Sequence, residues 1–122
     1  MKLLLIVGAL NAALAVVMGA FGAHGLKARV DAAMLETWAT ASLYHFHHAL
    51  ALLLVGVLAR QFSGSGFIAA GWTLFTGVLI FSGSLYLLVL TGQRWLGAIT
   101  PIGGTAMIVG WLMLAWAVYR NA

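Results

Sequence analysis

The chain has 122 residues, of which 64% are apolar and only 7% are charged, and its formal net charge is +4. Soluble domains carry about 25% charged residues, so this composition excludes a water-covered surface and predicts an integral membrane protein. The lack of cysteine excludes disulfides, thiolate metal sites and thiol nucleophiles. The basic residues occur singly between apolar runs, as membrane-flanking residues do, so no nucleic-acid partner is expected.

The first apolar run, residues 3–23, is interrupted only by Asn11 and is long enough for the roughly 20 residues of a spanning helix. It exceeds the roughly 7–15 apolar residues at the core of a secretory signal peptide. Further apolar runs follow it. We therefore expect a retained membrane helix rather than a cleaved leader.

A more polar segment, Gly25–Thr37, follows the first run and contains Lys27, Arg29, Asp31 and Glu36. Asp31 is a suitable N-cap for the alanine-rich stretch after it. The segment predicts a short amphipathic helix at the membrane interface between the first two spans, or else the first turns of the second span.

The remaining apolar runs predict three more spans, at about residues 38–59, 67–91 and 100–119. A Ser/Gly turn after Arg60 ends the second span, and Gly92 ends the third. Thr100 and Pro101 supply a hydroxyl cap and a first-turn proline for the fourth. The predicted fold is an all-α integral membrane protein with four transmembrane helices in a bundle, which forms one domain over residues 1–122.

Small residues recur at helical spacing in three of the spans. Membrane helices pack through such positions, because lipid offers little hydrophobic drive for association. The predicted packing positions are Gly8, Ala12, Ala15 and Gly19 in the first span, Thr73 and Gly77 in the third, and Gly103, Ala106, Gly110 and Ala117 in the fourth. Two long stripes exceed what one four-helix monomer needs, so a homo-oligomer is predicted.

The second span is polar in its first half and wholly apolar from Ala49 to Ala59. On a helical wheel Tyr44, His45 and His48 share a face about 100° wide, whereas His47 points elsewhere. Polar residues of a membrane helix face protein or water rather than lipid. At a rise of about 1.5 Å per residue, polar groups of several segments reach one level, in the half of the bundle away from the termini. The predicted polar site comprises His24, Tyr44, His45, His48, Ser82, Ser84, Tyr86 and Thr100.

Several functions are compatible with such a site. The leading hypothesis is a small channel or transporter for a proton or small solute, or an accessory protein, since histidine titrates near neutrality. The alternative is a structural, accessory or lipid-interacting protein without turnover, in which the polar groups only join helices. Metal binding comes third, and no metal or other cofactor is predicted because the span lacks carboxylate ligands. An enzyme is not favoured, since no buried acid would orient a histidine base.

Four motifs occur in order along the chain and resemble those of the YgdD-like bacterial membrane proteins, the family of domain of unknown function 423. They are GAFGAHGL at 19–26, Tyr44-x-x-x-His48-x-Leu50-Ala51, FSGSLY at 81–86, and TPIGG at 100–104 followed by Gly110-Trp111. Seven positions match the family pattern: His24, Tyr44, His48, Ser82, Ser84, Thr100 and Pro101. His45 and His47 are less typical of it, which weakens a metal site built on His45 and His48. The resemblance implies no established activity.

Charge alone does not orient the chain, since three basic residues flank the spans on each side. The resemblance implies a multi-pass protein of the bacterial plasma (inner) membrane with both termini cytoplasmic. Membrane lipids are the expected surroundings and partners.

Overall fold

The structure, a computed structural model, describes residues 1–121 and contains four long helices. Each is long and apolar enough to cross a bilayer, which confirms the predicted all-α membrane fold. A short 3₁₀ helix, Arg94–Ala98, joins the last two. The four helices are α1 (Lys2–His24), α2 (Ala32–Gln61), α3 (Gly66–Thr91) and α4 (Thr100–Asn121).

The polar segment between α1 and α2 does not form a separate interfacial helix, which was the first of the two structures predicted for it. Asp31 caps α2, and its side chain accepts a hydrogen bond from the Met34 N–H at 2.9 Å. No glycine or proline follows until Gly56. The helix therefore continues unbroken from Ala32 into the membrane, as the alternative interpretation expected.

The helices pack in chain order, α1 on α2, α2 on α3 and α3 on α4, while α1 barely touches α3. The termini and the turn at residues 62–65 lie at one end, called here the terminus side. The loops at residues 25–31 and 92–99 lie at the other, called here the loop side. α1 and α4 expose broad apolar faces, as lipid-facing helices do.

Two apolar cores fill the interior. The terminus-side core includes Leu52, Val55, Phe67 and Leu74, none of which is exposed. The loop-side core consists of Leu26, Trp38, Ala41, Tyr86 and Val89. The buried polar side chains lie between these two cores, and they form the candidate site described below.

Glycines allow the closest helix contacts. Gly8 lies against Ala49 and Leu53 of α2. Gly77 and Gly103 face each other across α3 and α4. A Cβ at any of these positions would lie within about 3 Å of a neighbouring helix, so the backbones approach only because none is present.

Other predicted packing positions differ in their surroundings. Gly110 lies against Leu74, and Ala15 and Ala117 are buried, whereas Ala12 and Ala106 are half-buried. Thr73 donates its hydroxyl to the Ala69 carbonyl of its own helix at 2.8 Å. Gly19 is not at a close helix contact, since a Cβ there would have no neighbouring atom within 4 Å. Two further close contacts, unpredicted, place Gly56 against Leu5 and Gly71 against Leu4.

We expect Gly103→Ala to lower the free energy of unfolding by about 1–3 kcal/mol, because the new methyl group overlaps the backbone of Phe81. Gly104→Ala is the matched control, since its Cβ would meet only the Phe81 ring, at 3.7 Å. Thermal unfolding of both variants in one detergent, followed by circular dichroism, measures the difference. Equal midpoints would contradict the close α3–α4 contact.

Candidate functional site

The polar layer comprises the side chains of Asn11, Ser42, His45, His48, Ser82, Ser84, Tyr86, Thr100 and Trp111, which join neighbouring helices. Within residues 1–121, every buried side-chain nitrogen or oxygen has a hydrogen-bond partner. The layer is therefore satisfied without any added group, as groups held in hydrocarbon must be.

His45 joins three helices at the centre of the layer. Its Nδ1 lies 2.9 Å from the Tyr86 hydroxyl of α3, and its Nε2 lies 3.1 Å from Oδ1 of Asn11 in α1. Asn11 in turn donates its side-chain N–H to the Val7 carbonyl at 2.9 Å. The Tyr86 hydroxyl also lies 3.4 Å from the Ser42 hydroxyl.

The tautomer of His45 follows from these partners. The Val7 carbonyl can only accept, so the Asn11 amide nitrogen faces it and the amide oxygen faces His45. His45 Nε2 must then carry the proton and donate. In the neutral ring Nδ1 is left as the acceptor, and Tyr86 donates to it.

His48 has the opposite tautomer. Its Nδ1 lies 2.8 Å from the Tyr44 carbonyl, which can only accept. Its Nε2 lies 3.0 Å from the Trp111 indole N–H of α4, which can only donate. The Nδ1 of His48 is therefore protonated, and its Nε2 accepts.

The two histidines face different helices and do not form a pair. The lone pair of His45 accepts a hydrogen bond from Tyr86 of α3, and that of His48 accepts one from Trp111 of α4. Within residues 1–121, no group of three or more His, Cys, Asp and Glu side chains lies together. Neutral imidazole binds metal through its lone pair, so both rings would have to give up a hydrogen bond to become ligands.

Hydroxyl groups complete the layer. Ser82 donates to the Ala41 carbonyl of α2 at 2.8 Å. Ser84 donates to the Phe81 carbonyl at 2.9 Å and lies 2.6 Å from the Thr100 hydroxyl, which joins α3 to α4. These serines bridge helices, and within residues 1–121 neither is hydrogen-bonded to a histidine that could act as its base.

The remaining predicted site residues lie at the edge. Tyr44 is 40% exposed, and its ring stacks on His48 and lies against Phe81. His24 is exposed at the end of α1. The structure thus brings His45, His48, Ser82, Ser84, Tyr86 and Thr100 into one layer and leaves His24 outside it.

Sequence reasoning did not assign Asn11, Ser42 or Trp111 to the site. Asn11 carried a usable signal, since it is the lone polar residue of the first span and such residues face the bundle interior. Trp111 belongs to the Gly110-Trp111 part of the family motif, but its residue type did not indicate a hydrogen bond to a histidine. Its indole is part of the site only because α4 lies beside His48.

A groove with a cavity volume of about 680 Å³ runs along the outside of the layer, between α1 and α2 on the loop side. Ala15, Gly19, Trp38 and Ser42 contribute to its wall. A smaller cavity, about 120 Å³, lies between α1 and α3 and reaches His45.

Comparison with known proteins identifies the family. Residues 18–104 match the family described as "Protein of unknown function (DUF423)". The chain belongs to this family. The motif resemblance predicted it, and that prediction is confirmed.

Family relatives match along nearly the whole chain. The chain is 49% identical to UPF0382 membrane protein YwdK of Bacillus subtilis over 98% of both chains. It is 50% identical to UPF0382 membrane protein SAB0533 of Staphylococcus aureus over 100% of this chain and 99% of the relative. No solved structure matches. With four membrane-length helices, these names establish a membrane protein.

A double-mutant cycle tests the His48–Trp111 bond. We expect His48→Leu and Trp111→Phe to couple by about 0.6 kcal/mol, and by at most about 1.7 kcal/mol, the range for hydrogen bonds between membrane helices. Unfolding free energies in one detergent measure the coupling. Trp116→Phe on the exposed face of α4 is the control, and a coupling with Trp111 no larger than with Trp116 would contradict the bond.

Nitrogen-15 NMR tests the tautomers. In mildly alkaline buffer we expect protonated Nε2 in His45 and protonated Nδ1 in His48, because their partners require it. His47, which is exposed on the surface of α2, serves as a reference for a ring outside the polar layer. The same tautomer in His45 and His48 would contradict the assigned bonds.

Proposed function

We propose that the protein acts in the bacterial plasma membrane as an accessory, lipid-interacting protein without turnover or transport. The observation that supports this proposal is the fully hydrogen-bonded polar layer, in which each buried side-chain polar atom of residues 1–121 has a partner. A transport site keeps polar groups available for its cargo. Here the histidines and hydroxyls are used to join helices.

The terminus-side core supports the same proposal. Every buried residue of α2 from Ala49 to Ala59 is apolar or glycine. The same holds for α3 from Phe67 to Val78 and for the buried residues of α4. A proton or ion crossing the bundle would meet this apolar core directly after the polar layer, where its desolvation is costly.

Proton movement is the second candidate, and one observation favours it. The Tyr86 hydroxyl has one proton and two neighbours, His45 at 2.9 Å and Ser42 at 3.4 Å. If His45 took up a proton, its Nδ1 would donate to Tyr86, which would turn its own proton toward Ser42. Both states of the ring would then be hydrogen-bonded. This proton relay through His45, Tyr86 and Ser42 would still end at the terminus-side core.

Two further expectations remain predictions. Cytoplasmic termini rest on the family resemblance. The homo-oligomer is predicted from small-residue stripes beyond what one copy needs. That support is weaker because Gly8, Gly77, Gly103 and Gly110 already contact neighbouring helices of the same chain.

Proton flux into vesicles tests the proposal. We expect purified protein in liposomes with an imposed membrane potential to acidify the lumen no faster than protein-free vesicles, because the apolar core blocks the path. A protonophore provides the positive control, and an interior pH dye provides the measurement.

Two variants separate the candidates. Flux in the wild-type protein that His45→Gln abolishes, and that His24→Gln at the exposed end of α1 leaves intact, would replace the proposal with the proton relay. Flux that survives both changes would refute both candidates.

A further inference from the structure

The helix-joining role of the polar layer leaves the α1–α2 groove unexplained. Its cavity volume of about 680 Å³ lies within the roughly 300–1,000 Å³ of small-molecule sites in proteins. The groove is open on its outer side, since its wall residues Val16, Leu43 and Phe46 are 61%, 53% and 38% exposed.

Trp38 forms the inner wall and fills space between the two helices. Its indole N–H donates to the Met18 carbonyl of α1 at 2.7 Å, and the ring lies against Gly22, where a Cβ would overlap it. The ring is only 2% exposed. Beside this ring, Gly19 faces empty space, so α1 and α2 do not close on each other along the groove.

The groove has the length of one bilayer leaflet. Its α2 wall runs from Leu35 to Phe46, which at the helical rise of about 1.5 Å per residue is about 16 Å. Half of a roughly 30 Å hydrocarbon core is about 15 Å. The groove therefore begins at the loop-side interface and ends near the middle of the bilayer, as one lipid acyl chain does.

The groove carries one charge, and it lies at the interfacial end. Among residues 1–121, Lys27 of the loop between α1 and α2 is the one charged residue that contributes to the wall. The remaining wall is apolar apart from Ser42 and the Trp38 indole, whose N–H is already bonded. A cation above an apolar slot of leaflet length complements an anionic phosphate above an acyl chain.

We infer that the α1–α2 groove binds one anionic phospholipid of the bilayer, with an acyl chain beside Gly19 and Trp38 and the headgroup phosphate on Lys27. The inference deepens the proposed lipid-interacting function by naming the lipid class. It does not depend on the absence of proton flux, so the two can fail separately.

Native mass spectrometry tests the site on protein taken from vesicles of equal phosphatidylglycerol and phosphatidylcholine. We expect one phosphatidylglycerol to be retained per chain, in preference to phosphatidylcholine. Lys27→Gln should lower that preference about fivefold, the effect of one basic residue at an anionic surface. Arg94→Gln removes a loop-side charge that lies outside the groove, so it should leave the preference unchanged.

A second pair of variants tests the apolar slot. Gly19→Leu places a side chain in empty space, so the fold should persist while the retained lipid is lost. Ala115→Leu adds bulk on the exposed face of α4 and should retain the lipid. Circular dichroism checks that both variants fold.

Three outcomes would overturn the inference. Equal retention of both lipids by the wild-type protein would remove the role of charge. Equal loss of preference in Lys27→Gln and Arg94→Gln would reduce it to a general surface effect. A dimer that Gly19→Leu dissociates, with no lipid retained by the wild type, would show that a second copy fills the groove.

Discussion

A polar side chain inside a bilayer must find its hydrogen-bond partner within the protein, because the surrounding lipid offers none. This requirement contributes to the arrangement of the four helices. Asn11, His45 and Tyr86 connect α1, α2 and α3, while His48 and Trp111 connect α2 to α4. Since each bond between membrane helices is individually modest, the arrangement depends on the layer acting together with close glycine contacts on either side of it.

The layer also divides the bundle into two unequal halves. On the terminus side the glycines bring backbones together and the core is closed around Phe67 and Leu74. On the loop side the large ring of Trp38 is accommodated against Gly22, and no atom of α2 fills the space beside Gly19. Glycine thus permits a close contact where a neighbouring group fills the space beside it, as at Gly22, and leaves a gap where none does, as at Gly19.

The sequence predicted what depends on local pattern and could not predict what depends on helix order. Spans and the depth of polar groups follow from about 20-residue hydropathy and a fixed helical rise. The partners of His45 and His48 do not, because residues three apart lie about 60° apart on the wheel, and this angle places them on different neighbours once α3 and α4 are in position. Trp111 belongs to the site for the same reason, because the position of α4 places its indole beside His48.

The opposite tautomers of the two histidines follow from the fact that both nitrogens of each ring are hydrogen-bonded. The partners of His48 are a carbonyl that only accepts and an indole that only donates, so its neutral ring has one arrangement. His45 has one partner, Tyr86, that can reverse its role. Among the partners of the two histidines, the ability to reverse roles is therefore confined to the Tyr86 hydroxyl. With the interior bonds occupied, another molecule would bind at the outer surface of the bundle, where the groove beside Trp38 combines leaflet length with a charge at its end.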